Sequence, residues 1–125
     1  MDKKTISKIK YRAKEQKPLQ HIDELSSREF LINRIAELAD KYGFIYKQLS
    51  IRNQKTRWGS CSINNNISLN IQLMGLPHKL INYVLLHELV HTLVKNHSVL
   101  FWNTLNKYVR NAKNLDKDLK KYYLT

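Results

Sequence analysis

The sequence predicts an α+β domain in which one helix is followed by a small antiparallel sheet and then by further helices. Apolar residues recur at helical spacing over residues 27–42 and 77–94. Between these segments lie short stretches rich in aromatic and β-branched residues, which are typical of strands. Because strands and helices occupy separate parts of the chain instead of alternating, the order favours α+β over a parallel α/β sheet.

The first predicted helix covers residues 27–42, and Gly43 supplies its C-terminal stop. Strands are predicted at residues 44–52, 57–63 and 67–71. The last two strands flank three consecutive asparagines, residues 64–66, which favour a turn. These two strands are therefore expected to form a hairpin.

The central helix is predicted at residues 77–94, where Pro77 suits the first turn. This segment is apolar almost all round, so we expect it to run through the core with the sheet packed against it. Two further helices are predicted at residues 98–111 and 115–123.

The length of 125 residues and the composition indicate one domain preceded by a basic segment. We place the basic segment at residues 1–24 and the domain at residues 25–125. No apolar run is long enough to cross a bilayer, and no signal-peptide pattern is present, so we expect no membrane association and a cytoplasmic location. Cys61 is the only cysteine, which excludes an internal disulfide and a purely thiolate zinc site.

The charge distribution singles out one carboxylate. The net charge is +12, and basic residues are concentrated at both ends of the chain. The positive electrostatic field of such a chain attracts phosphates or nucleic acid. The alternative interpretation is an ordinary solvated surface rich in lysine. Between Lys41 and Leu115 the sole acidic residue is Glu88, in the middle of the apolar helix. Because burying an unpaired carboxylate is costly, Glu88 is expected to have a cationic partner or a chemical task.

The central helix carries the pattern His87-Glu88-Leu89-Val90-His91. Residues four apart lie on the same face of a helix, one turn apart, so the two imidazoles are able to converge on one zinc ion. Glu88 is adjacent to the first histidine and is placed to take a proton from a water molecule on the metal as a general base. The pattern therefore indicates a metal-dependent hydrolase that uses one Zn²⁺ per chain.

A third protein ligand is expected from His97, six residues after His91. This spacing equals that of the longer HExxHxxGxxH pattern, but Val94 occupies the glycine position. We therefore expect a turn with left-handed geometry at Asn96, because asparagine tolerates that conformation.

The lack of acidic residues also predicts what lies behind the ligands. A zinc-bound imidazole usually donates its second N–H to a carboxylate or a carbonyl. Here we expect backbone carbonyls, asparagine side chains or water behind His87 and His91, and neither Asp116 nor Asp118.

These residues resemble the YgjP-like metallopeptidase family, a zincin-like group related to SprT-like domains. The similarity runs from about residue 28 to residue 105. Its blocks are residues 54–62 (QKTRWGSCS) with Arg52, residues 67–70 (ISLN), residues 83–91 (YVLLHELVH), residues 96–98 and residues 101–102. The resemblance implies zinc at His87, His91 and His97, a catalytic Glu88, and the RWGSCS strand beside the active-site helix. Longer members carry an extra strand-rich N-terminal region, where this chain has a short basic segment.

The RWGSCS strand is also the predicted site of substrate contact, through Arg57 and Ser60. In zincin-like sites an edge strand beside the metal pairs with an extended substrate backbone. Arg57 is a candidate for stabilising an oxyanion or holding a phosphate, or alternatively for pairing within the chain. Trp58 is expected in the core, Gly59 at a close crossing, and Cys61 as a small buried residue.

Three functions remain open from the sequence. The first is a zinc metallopeptidase acting on a peptide or protein. The second is a metal-dependent nucleoside triphosphate pyrophosphatase, since some YgjP-like proteins are described so, although the carboxylate cluster that usually holds magnesium is missing. The third is a SprT-like module that the basic ends recruit to nucleic acid.

Overall fold

The computed structural model describes residues 21–125, and it confirms the α+β class. A long helix precedes three short strands, and a 3₁₀ helix and three α-helices follow. The elements are α1 His21–Tyr42, β1 Leu49–Arg52, β2 Gly59–Cys61, β3 Ile67–Asn70, the 3₁₀ helix Ile71–Gly75, α2 His78–Val90, α3 Val99–Leu105 and α4 Ala112–Leu119. The predicted basic segment lies outside the described residues as far as residue 20, while residues 21–24 belong to α1.

Helix α1 covers one side of the core. Leu31, Ile35 and Leu38 are buried along one face, as the spacing of apolar residues predicts. The helix stops at Gly43, whose φ of +80° is a left-handed conformation that glycine adopts without strain. The Gly43 N–H donates to the carbonyl oxygen of Ala39 at 2.8 Å, which confirms the predicted stop signal.

The sheet has the order β1-β3-β2 and is mixed, so the predicted antiparallel sheet is correct only for the hairpin. Strands β2 and β3 are antiparallel, with Ser60 opposite Ser68, and Asn65 forms the turn with φ 67°. Strand β1 runs parallel to β3, with Leu49 opposite Ile67. The connection from β1 to β2 passes around the C-terminal end of β3, which places β1 on the far side of β3.

A buried asparagine at the end of β3 holds that connection. The Asn70 side chain donates to the carbonyl oxygens of Gln54 at 2.8 Å and Arg57 at 2.9 Å. Its Oδ1 accepts the N–H of Gln72 at 3.0 Å. Since all three bonds lie at a fully buried residue, Asn70 fixes the path by which the chain enters β2.

Helix α2 runs through the core, as its apolar sequence predicts. It packs against β2 and against all three other α-helices. Its buried side chains include Leu85 and Leu89, which are fully inaccessible. The helix ends at Val90, earlier than predicted, and the chain continues through short turns. No helix within residues 21–125 is long and apolar enough to cross a membrane.

The predicted helix at residues 98–111 is shorter in the structure. The hydroxyl of Ser98 accepts from the N–H of Phe101 at the start of α3, which is a standard N-cap. The helix ends at Leu105, and the side chain of the following residue, Asn106, accepts the N–H of Ala112 at 2.8 Å. Asn111 has φ 59°, so helical geometry is interrupted there before α4 begins.

Candidate active site

Two histidines one turn apart on α2 form the first part of the site. The ring centroids of His87 and His91 are 4.7 Å apart, and the rings are nearly perpendicular. His91 is buried and His87 is half-buried. Burial lowers the pKa of His91, which favours the neutral imidazole that binds metals.

His97 joins these two histidines from the loop that follows α2. Its Nε2 lies 3.2 Å from Nε2 of His91 and 3.3 Å from Nε2 of His87. The three residues form the one group of metal-ligating side chains found among the described residues. The structure therefore brings together the three histidines that the sequence predicts as ligands.

The turn that brings His97 back differs from the predicted one. Thr92 and Leu93 donate their N–H groups to the carbonyl oxygens of Leu89 and Val90, so the helix tightens before it ends. Among residues 21–125, only Asn65 and Asn111 combine a side chain with positive φ, so the left-handed turn predicted at Asn96 is wrong. The side chain of Asn96 instead accepts the N–H of Ser98 at 3.3 Å, an Asx turn that stabilises the bend without left-handed backbone.

The outer partners of the rings set their tautomers. Nδ1 of His91 donates to the carbonyl oxygen of Val94 at 2.9 Å, which confirms the predicted backbone carbonyl. Nδ1 of His87 lies 3.2 Å from Oε2 of Glu88, so the prediction for His87 is wrong. Both partners are acceptors, so in the neutral rings each Nδ1 carries the proton and each Nε2 presents a lone pair to the cluster.

Asp116 is a second acidic residue near α2, and it contacts Tyr83 instead of the histidines. Asp116 accepts the hydroxyl of Tyr83 at 3.0 Å and pairs with Lys120 at 3.3 Å. Burial and the Asp116 carboxylate raise the pKa of Tyr83, so the phenol stays protonated. Asp116 therefore stands behind neither histidine, as predicted.

The distances within the cluster suit a tetrahedral zinc ion. Nitrogens bound to zinc at about 2.0–2.1 Å in tetrahedral geometry lie about 3.3–3.4 Å apart. The separations of His97 Nε2 from Nε2 of His91 and of His87, 3.2 and 3.3 Å, match this distance. A single proton on Nε2 of His97 satisfies only one of its two neighbours, whereas a shared cation satisfies all three lone pairs.

Glu88 is buried beside the cluster at the point where α2 crosses β2. Its exposure is 5%, and its Oε2 faces His87. A Cβ atom at Gly59 would lie 3.2 Å from both Cγ and Oε2 of Glu88. The absence of a side chain at Gly59 therefore lets the strand approach the carboxylate, which confirms the predicted close crossing and the strand beside the helix.

The ring of Phe101 packs against all three histidines from one side of the cluster. Its fully buried ring stacks on His91 at 4.3 Å between centroids and meets His87 and His97 edge-on at 5.0 Å each. Trp102 lies beside His97 at 6.2 Å and against Phe101. These contacts exclude water from one side of the histidines and limit the rotation of their rings.

The backbone groups of β2 alternate between the edge bonded to β3 and the open edge of the sheet, and its side chains alternate between the two faces of the sheet. The N–H of Ser62 donates to the carbonyl oxygen of Asn66, and the carbonyl oxygen of Trp58 accepts from the N–H of Asn70. By antiparallel alternation, Ser60 is therefore hydrogen-bonded to Ser68 of β3. The N–H and C=O groups of Gly59 and Cys61 then point to the open edge of the sheet. The side chain of Ser60 lies on the face opposite to Glu88, because successive side chains alternate.

Arg57 and Cys61 flank this strand without joining the histidine cluster. Arg57 is exposed; its carbonyl oxygen is held by Asn70, and its guanidinium has no ion-pair partner among the described residues. Cys61 is half-buried, and burial raises the pKa of its thiol, so it remains protonated and a poor metal ligand.

Lys95 is a residue next to the site that the sequence did not identify as a candidate. It lies between His91 and His97, and its ammonium group contacts the β2–β3 hairpin. A lysine in a polar loop carries no motif signal, so only the packing of the loop against the hairpin reveals it.

Comparison with known structures defines the class of the fold. The chain superposes on the metallopeptidase zymogen jannalysin of Methanocaldococcus jannaschii with a TM-score of 0.63 and 21% identity, covering 73% of this chain and 94% of that one. It superposes on the metallopeptidase zymogen abylysin of Pyrococcus abyssi with a TM-score of 0.61 and 24% identity, covering 73% and 93%. The chain therefore shares the fold of these two metallopeptidase zymogens.

The family follows from the sequence. The model of the YgjP-like metallopeptidase domain matches residues 2–122, and the chain belongs to this family. The match extends beyond the residues 28–105 that carry the resemblance and includes the basic N-terminal segment. No curated protein matches the chain significantly.

Proposed function

We propose that this protein is a zinc-dependent metallopeptidase whose metal ligands are His87, His91 and His97 and whose general base is Glu88. The observation that supports this most directly is the convergence of three Nε2 atoms at 3.2 and 3.3 Å beside a buried carboxylate. Membership of the metallopeptidase family is consistent with it.

Each residue has a defined part in the proposed reaction. A bound zinc ion would supply a Lewis acid that lowers the pKa of water. The Glu88 carboxylate takes a proton from the attacking water and returns it to the amine that leaves when the C–N bond breaks. The Nδ1 partners of His87 and His91 keep both Nε2 lone pairs directed into the cluster, where zinc would be held, and Phe101 keeps the rings in place.

We further propose that β2 binds the substrate as an added strand. Its edge facing away from β3 is unpaired in the described sheet, and the backbone groups of Gly59 and Cys61 point along it. A peptide bonded to these groups would lie next to Glu88, because Gly59 is the residue that the carboxylate approaches. Arg57 remains the candidate for a charged substrate contact. Ser60 would contribute to substrate binding only through its position on the strand between Gly59 and Cys61.

A phosphate substrate is less well supported. Enzymes that transfer phosphoryl groups usually hold magnesium through oxygen ligands. The described cluster offers three nitrogens and one buried carboxylate. These donors suit zinc and a hydrolysed peptide bond better than magnesium and a nucleotide.

The decisive experiment measures metal content and hydrolysis on the same purified chain. We expect about one zinc ion per chain by mass spectrometry, cleavage of internally quenched peptides, loss of cleavage with a chelator and recovery on adding zinc. Nucleoside triphosphates are assayed in parallel for pyrophosphate release. Zinc-dependent pyrophosphate release without peptide cleavage would replace the proposal with the nucleotide alternative, and a chain that binds no zinc would refute both.

Replacing Gly59 by alanine is expected to lower kcat by roughly ten- to a hundredfold without removing zinc, since a small displacement of a catalytic group is costly. The added methyl group meets Glu88 and the carbonyl oxygen of Ser68 at 3.2 Å, so the carboxylate or the strand must shift. Initial rates and zinc content check this. An unchanged kcat would show that the close approach of Gly59 to Glu88 does not matter for catalysis.

A further inference from the structure

Lys95 is an exposed residue whose ammonium group is nevertheless bound by the hairpin opposite. Nζ donates to the carbonyl oxygen of Ser62 at 2.9 Å and to Oδ1 of Asn65, and lies 3.9 Å from Sγ of Cys61. The ammonium group has three donors, and three acceptors lie around it. A solvated surface lysine makes no such converging set of contacts.

The acceptors belong to a turn that is itself well ordered. The N–H of Asn65 donates to the carbonyl oxygen of Ser62 at 2.9 Å, and the N–H of Asn66 donates to the Ser62 hydroxyl at 3.1 Å. Asn65 has φ 67°, the left-handed turn position. The carbonyl oxygen of Ser62 and the backbone of Asn65 are therefore held in place by the turn itself.

The contact connects the loop that carries His97 with the hairpin that borders Glu88. Lys95 lies in the loop from His91 to His97, while the hairpin carries Gly59, which borders Glu88. Residues 92–94 of this loop are bonded to Leu89 and Val90 at the end of α2, and Val94 accepts from His91. Beyond residue 94, the described contacts that hold the loop are those of Lys95, the Asx turn at Asn96 and the His97 ring in the cluster. Movement of this loop displaces Nε2 of His97 directly.

We propose that Lys95 is a positioning residue that fastens the His91–His97 loop to the β2–β3 hairpin and so fixes His97 relative to Glu88. The proposal rests on the proposed function for its catalytic meaning, although the fastening itself is a property of the folded chain. Lys95 has no contact with the histidine cluster, and on β2 it lies near the Cys61 side chain rather than the backbone groups of the open edge, so its effect is transmitted through the loop.

The test compares Lys95→Met, Asn65→Gly and the double variant. Methionine keeps much of the aliphatic stem and removes the donors, whereas glycine keeps the positive φ of residue 65 and removes the Oδ1 acceptor. Lys79→Met is the matched control, since Lys79 is exposed on α2 and has no hydrogen-bond or ion-pair partner among the described residues. The unfolding temperature shows whether each variant remains folded.

The first measurement is amide hydrogen exchange of residues 92–98 in the metal-free chain. We expect faster exchange in Lys95→Met and Asn65→Gly, little further change in the double variant, and none in Lys79→Met. The second is zinc transfer to a chelator, which we expect to become about tenfold faster in both single variants, in the range seen for residues that orient metal ligands.

These measurements separate the proposal from the proposed function. Exchange and zinc release like wild type in Lys95→Met, or fully additive effects in the double variant, would overturn the positioning role. A rise in KM alone, with exchange and zinc release unchanged, would assign Lys95 to substrate binding instead. Faster exchange in a chain that cleaves no peptide would support the fastening and refute the peptidase.

Discussion

Replacing Glu88 by glutamine is expected to lower kcat for peptide hydrolysis by roughly 10²–10⁴-fold, the usual contribution of a general base. Glutamine has nearly the same size, but its amide does not take a proton from water at neutral pH. Its carbonyl oxygen is still able to accept from Nδ1 of His87, which Glu88 Oε2 faces at 3.2 Å. The tautomer of His87 is therefore preserved, and we expect zinc to remain bound.

The measurement combines kcat, KM and zinc content of Glu88→Gln. Glu37→Gln is the control, because Glu37 is an exposed carboxylate on α1 that pairs with Arg34 at 3.0 Å. It is expected to behave like wild type. Activity that survives in Glu88→Gln would remove Glu88 from the proposed mechanism, and zinc lost together with activity would assign it to metal binding.

Replacing any one of His87, His91 and His97 by alanine is expected to weaken zinc binding by more than the roughly 10–100-fold that removal of an outer partner costs. Each contributes one of the three lone pairs that meet within 4.8 Å of one another. His97→Ala is the most informative variant, since His97 is exposed and lies on a loop, so its loss disturbs the core least.

Zinc content after dialysis and competition with a chelator check this second prediction. His78→Ala is the control, because His78 is exposed at the start of α2 and its ring meets Phe30 rather than the cluster. Far-ultraviolet circular dichroism shows whether His91→Ala, which removes a buried ring stacked on Phe101, remains folded. Full zinc retention in His97→Ala would point to a different third ligand.

The sequence was informative wherever a local pattern decides the structure. Apolar spacing predicted α1 and the central helix, and the asparagine turn predicted the β2–β3 hairpin. Helical geometry alone places residues four apart on one face, so the facing of His87 and His91 followed from their spacing. The close crossing at Gly59 followed from a residue type that has few other uses within a strand.

The errors concern a strand pairing, a loop turn and the partner of one histidine. The aromatic and β-branched residues around β1 predict a strand but not its partner, so its parallel pairing with β3 is known only from the structure, in which Asn70 holds the connection. Asparagine allows either a left-handed turn or an Asx turn, and at Asn96 the structure has the latter. The partner of His87 was misjudged because Glu88 had been assigned to water alone.

What the sequence determined by itself is the chemistry available: three histidines, one central carboxylate and an apolar helix to carry them. What only the tertiary structure decided is how these groups meet. The position of His97 depends on Phe101 beneath it and on the loop that Lys95 ties to the hairpin. The setting of Glu88 depends on a strand more than twenty residues away in the chain. Local spacing is encoded by backbone geometry, whereas these contacts arise from packing between segments, which leaves no periodic trace in the sequence.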